Sequence, residues 1–306
     1  MRALVSVVAL ASVALAAHAA DRGDAFALAM LRRDGVAIPF ATFDGGSWSA
    51  HWPEPSLELT VPVSVDSVPK GWWGPTGPIG TWQAWLAHGE PQTLRVQQPD
   101  WIGSHCVRQV GLRTDYRPTE LPPPPAEQPY PKDGLLVWPA HSVERVDVVP
   151  KDGPDGRGVA AELLAAFNRA EDKLDHRYLH PVAASNRHGI APTVEAMYGY
   201  GDEPRVFYVE SVREYNTAGP EECVAAFGTG WFVRETGRFR SLDMAVDLLG
   251  CNRQGASYML PLGVIRTGTR LFWAVQFSGF DHERYVVIEP REKRVDAVLS
   301  VWGGGC

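Results

Sequence analysis

The chain has 306 residues, and 29 Lys plus Arg stand against 36 Asp plus Glu, a formal charge of −7. The acid surplus argues against nucleic acid as a partner, and because it is spread rather than gathered in a tail it favours solvation over a particular charged ligand. The length allows two domains with cores of their own, and no apolar run beyond the first twenty residues is long enough for a membrane span.

Arg2 gives the N-terminus a positive start, Ala3 to Ala17 is an apolar run of signal-peptide length, and Ala17-His18-Ala19 fits the small-x-small cleavage pattern. Residues 1–19 therefore read as a signal peptide, with the mature chain beginning near Ala20 and exported to a secreted or periplasmic location. A mitochondrial presequence would be richer in Arg, and a lipoprotein signal would carry a Cys at the cleavage point, whereas the first Cys is Cys106.

Residues 20–116 read as a small Trp-rich β domain. A helix is expected from Asp24 to Arg33, ended by Gly35. Strands follow at Val36 to Phe43, Leu94 to Val96 and Cys106 to Leu112. Leu57 to Val65 alternates apolar and polar residues, with Pro62 on the polar face of an edge strand.

Between Gly71 and Gly80 glycine recurs every third residue, too briefly for a collagen helix but suited to an extended polyproline-like segment with one close-approach edge. Seven of the eleven tryptophans lie between Trp48 and Trp101. Two readings stand side by side. The rings fill the core, as large aromatics usually do, or they form a platform for a glycan or an extended peptide, with Trp72 and Trp73 as its contacts.

Residues 117–133 contain seven prolines and read as a semi-rigid connector. Residues 134–306 read as a second domain. Val159, Leu163, Phe167, Ala170 and Leu174 fall on one helical face. Strand patterns follow at Val206 to Tyr215, Trp231 to Arg234, Leu242 to Leu248, Tyr258 to Arg266, Leu271 to Phe277, Tyr285 to Glu289 and Val295 to Trp302, several joined by short turns. The expected class is α+β, mostly β: a small N-terminal β domain and a C-terminal antiparallel meander covered by a helix.

Cys106, Cys223, Cys251 and Cys306 lack any CxxC, so a paired-Cys metal or redox site is missing its minimal element. The expected disulfides are Cys223 with Cys251 and Cys106 with Cys306. Gly156-x-Gly158 opens the long helix where a dinucleotide fingerprint would stand, but "PKDGPD" is too long for that strand-to-helix turn and the downstream strands read antiparallel. Asp172, His176 and His180 recur at intervals of four, a sparse metal-ligand spacing. Pro181 ends the helix there, and polar residues on a solvated face give the same interval, so neither metal nor cofactor is expected.

Asp281-His282-Glu283, between two strong strands, is the densest acid-base cluster and the catalytic candidate. Together these features favour an exported binding, structural or accessory protein over an enzyme. The alternative is a secreted hydrolase that uses the His and carboxylate groups of the second domain.

Overall fold

Phe26–Arg32 (β1) is a strand, not the helix that its Ala, Leu and Met content suggests, and the reason is burial: all seven residues are out of solvent. A run buried on both faces reads as continuous apolar sequence, with no alternation to betray it. Gly35, at φ +81°, closes the turn into Val36–Phe43 (β2) instead of capping a helix, and a Cβ there would meet the Tyr116 carbonyl oxygen at 3.1 Å. The computed structural model describes residues 25–50, 52, 55, 80–87, 89–118, 131–176, 180–215 and 223–306, with the backbone alone at 175 and 176. The signal peptide, the Leu57 to Val65 strand and most of the glycine-repeat segment, Trp72 and Trp73 included, lie outside these residues.

The first sheet continues with Trp48–Ser49 (β3), Thr81–Leu86 (β4), Gln92–Ser104 (β5), Val107–Thr114 (β6) and Lys132–Trp138 (β7). Its order is β1-β7-β4-β5-β6-β2-β3, and a further β1–β2 pairing closes six strands into an antiparallel barrel. Closure leaves those six strands without an open edge. Strand β7 straddles the expected boundary at residue 133, and its hydrogen bonds to β1 and β4 assign it to the barrel. The five described tryptophans of the Trp-rich stretch, Trp48, Trp52, Trp82, Trp85 and Trp101, all pack in or against this core.

After Val143–Glu144 (β8) and Asp147–Val148 (β9) comes the helix Pro154–Asp172 (α1), extended by a 3-10 turn at Lys173–His176 and followed by a single helical turn, Ala184–Arg187 (α2). All five residues of the expected apolar stripe are buried. Gly156 lies against the Lys151 carbonyl and Gly158 against the Phe239 ring, so close packing, not phosphate binding, explains the two glycines.

Thr193–Tyr200 (β10), Arg205–Tyr215 (β11), Val224–Glu235 (β12) and Arg238–Gly250 (β13) form the expected antiparallel meander, with β9 at its far edge and α1 across one face. The series then moves to another layer. Tyr258–Thr267 (β14), Arg270–Ser278 (β15), His282–Pro290 (β16) and Val295–Gly305 (β17) make a second five-stranded sheet edged by β8. Tyr208, Trp231, Trp273, Val275 and Val286 fill the space between the two sheets.

The opposite face of the second sheet presents Phe272, Ala274, Tyr285 and Val287 to the barrel. The layers therefore run helix, sheet, sheet, barrel. Cys106 bonds to Cys306 across 4.9 Å between Cα atoms, tying the β5–β6 turn to the end of β17, and Cys223 bonds to Cys251 across 5.5 Å, closing the open end of the β12–β13 hairpin. Among the described residues no helix is long and apolar enough to cross a membrane.

Candidate functional site

Strand alternation separates the Asp281-His282-Glu283 triplet. His282 begins β16 and lines a cleft between the two sheets, whereas Glu283, one residue on, is buried towards the barrel. The three groups cannot act together on one substrate. Asp281 remains with His282: the ring Nδ1 donates to the Asp281 carboxylate at 2.9 Å, and this bond holds the carboxyl below its ordinary range. Gly279 lies beneath the imidazole, where a Cβ would strike the ring, so the glycine sets the position of the histidine.

The cleft that His282 lines opens where β13 and β17, the terminal strands of their sheets among the described residues, part from one another. Its volume is about 420 Å³, within the usual range for ligand sites. Phe227, Trp231 and Phe277 form the floor, and Asp243 and Asp247 of β13 stand exposed on one lip. The two carboxylates are four residues apart on one strand, roughly 13 Å, and so share a face. Asp243 also accepts the Met244 backbone N–H at 2.9 Å.

Glu283 is the hub of a different cluster. Lys132 Nζ donates to both of its oxygens at 3.1 Å, Gln276 Nε2 donates at 2.9 Å, and Tyr285 OH donates to Oε1. His105, in the left-handed region at φ 52°, places Nε2 3.6 Å away. Burial alone would raise the Glu283 carboxyl, but the Lys132 charge and the bonds from His105, Tyr285 and Lys132 hold it down at about 2.

Beside this hub a pocket of about 420 Å³ sits at the junction of barrel and sheets, reaching Tyr198, Glu210, Tyr258 and Met259. Strand β11 turns Val206 and Tyr208, and by alternation Glu210, into the space between the sheets. Glu210 is 3% exposed and accepts the Met259 backbone N–H at 2.6 Å. Burial pushes its carboxyl up to about 7, with the Met259 bond opposing and the charge of Glu195 assisting.

The metal-spaced residues do not converge. Asp172 accepts from Arg187 Nη2 at 2.8 Å and from His188 Nε2 at 2.7 Å, while His180 turns to Glu171 at 3.3 Å. The side chain of His176 lies outside the described residues. Glu171 is fully buried, bonded by Arg213 Nη1 at 2.6 Å and by Tyr215 OH, so this network pins the end of α1 to β11. Among the described residues no group of three or more His, Cys, Asp or Glu side chains is disposed to hold a metal ion.

A larger cavity, about 760 Å³, occupies the other end of the sheet pair. Several of its arginines face acids of the same lining, as in Arg205 with Asp147 at 2.7 Å and Arg266 with Glu144 at 3.8 Å.

Sequence reasoning missed Glu210, Lys132, His105 and Asp243. The one available signal was Glu210, a charge set in the apolar run "VFYVESV". Compared with known proteins, the chain matches no family model, no curated protein and no solved structure.

Proposed function

We propose that the protein is an exported binding protein that takes an extended basic peptide as an added strand along β13, the terminal strand of its sheet among the described residues. The observation that carries the reading is the cleft itself: a thirteen-residue terminal strand beside an aromatic floor, with Asp243 and Asp247 on its lip. A terminal strand presents unpaired backbone groups, so an incoming chain gains main-chain hydrogen bonds there.

Side-chain alternation then dictates the ligand. Lys or Arg at positions i and i+4 would meet Asp243 and Asp247. Residue i+2, beside the small Ala245, would carry an apolar side chain into the cleft. The Asp243 bond to the Met244 amide satisfies one backbone donor of β13 without a partner chain. The leader-like residues 1–19 and the two disulfides support an extracellular or periplasmic setting. A glycan rests instead on Trp72 and Trp73, which lie outside the described residues.

Selection from a displayed library of random peptides tests the reading. Enrichment of a basic-x-apolar-x-basic pattern is expected, with binding lost in Asp243→Lys/Asp247→Lys. Selected peptides without paired basic residues, or indifferent to the double variant, would reject it.

One observation favours the hydrolase as a second reading. His282 at the end of the same cleft is oriented by Asp281, which leaves Nε2 as the ring's basic atom. On that reading a bound peptide is cleaved, and His282→Gln abolishes cleavage while binding survives.

A further inference from the structure

Among the described residues, the pocket at the junction of barrel and sheets holds one carboxyl group, Glu210, that pairs with no cation. A nearly fully buried carboxylate is seldom found without a cation or a set of donors. Lys132 is matched by Glu283 at 3.1 Å, and Arg33 by Asp133 at 3.1 Å. Glu210 has one backbone N–H at 2.6 Å, and among the described residues no Lys, Arg or His forms an ion pair with it. The same pocket is lined by Tyr198, Tyr258, Met259 and Leu260.

We propose that this pocket is a site for a small organic ammonium ion, with Glu210 as its counter-charge and Tyr198, Tyr258 and Met259 as the walls that receive its substituents. Aromatic rings attract a cation over their faces, and a desolvated carboxylate supplies the full charge. A neutral ligand gives Glu210 no charge to pair with on ionising, and an anion would oppose its ionisation. The chain's overall charge of −7 also attracts cations over anions. This site is separate from the β13 cleft, and neither proposal depends on the other.

Binding must be linked to a proton. The carboxyl of Glu210 sits at about 7 in the empty pocket, and only its ionised form pairs with an ammonium. The groups facing it are Tyr198 and Glu195 from β10, Tyr208 from β11, Tyr258 from β14, Glu283 from β16, and Arg33, His105 and Lys132 from the barrel side. Glu195 is already bonded to Arg253. Affinity should therefore be full above pH 7 and fall about 100-fold by pH 5, since each pH unit below the midpoint costs about tenfold.

The test uses the full chain with both disulfides intact and the probes tetramethylammonium and butylammonium, with n-butanol as the neutral control. Calorimetry at pH 8 should show saturable millimolar binding of an ammonium probe and none of the alcohol, and at pH 7 a heat that varies with buffer as protons are released. Glu210→Gln should weaken binding about 30-fold, as expected for loss of a charged partner, and abolish its pH dependence.

Should that variant fold poorly, the carboxyl ¹³C resonance of Glu210 in the wild type gives the answer: its titration midpoint should fall as butylammonium is added. A midpoint that does not move, or alcohol binding equal to that of the ammonium probes, would overturn the proposal.

Discussion

Lys132 donates to both carboxylate oxygens of Glu283 at 3.1 Å across 151 residues of sequence, joining a barrel strand to the outer face of the second sheet. Both side chains are buried, so removing one leaves an uncompensated charge in a dry interior. Lys132→Met should lower unfolding stability by about 4 kcal/mol in urea titrations at pH 7. The Glu283 carboxyl is held down at about 2, below its ordinary value, so its contribution is fully present above pH 4.5 and disappears only as pH falls towards 2. The wild type should keep this pair in mild acid.

Glu210 has the opposite sign. Its folded-state carboxyl is raised to about 7, so the fold tolerates the protonated form and is destabilised as the group ionises. Stability should decline between pH 4.5 and about 8 by about 3 kcal/mol from this residue alone. Glu210→Gln should remove that decline, leaving the variant more stable than wild type at pH 8 in matched urea titrations.

The disulfides close loops of very different length, 28 residues for Cys223–Cys251 and 200 for Cys106–Cys306. Loop entropy assigns them about 3.5 and 5 kcal/mol respectively. Thiol counting on unreduced protein should find no free thiol, and Cys106→Ser/Cys306→Ser should lower stability more than Cys223→Ser/Cys251→Ser.

Gly156 sits where an added Cβ would collide with the Lys151 backbone, which has no side-chain freedom with which to yield. Gly156→Ala should therefore destabilise by about 2 kcal/mol despite the better helix propensity of alanine. Calorimetric melting of the variant checks this, and an unchanged or raised Tm would contradict it.

These sites differ in how legible they were in the sequence. Helix α1 and β11 to β17 could be read because each has one face against a core and one against solvent or another layer, which leaves a period in the residues. Strand β1 could not, because closure of the barrel buries both faces and erases the alternation. The disulfides followed from cysteine count and chain order. The Asp281-His282-Glu283 triplet was visible as a cluster, yet strand alternation sends His282 and Glu283 to opposite faces. Glu210, Lys132 and His105 come together only through the stacking of barrel on sheet, which no local pattern encodes.

Docking of a partner strand on β13 between Asp243 and Asp247 is measured by amide hydrogen exchange of the chain with and without a selected basic peptide. Protection should rise within Arg238–Gly250 and around the cleft floor, and affinity should fall about tenfold in Asp243→Asn/Asp247→Asn, as two exposed ion pairs warrant. Protection confined to residues 56–79, or a saturating peptide that leaves β13 amides exchanging as before, would contradict it.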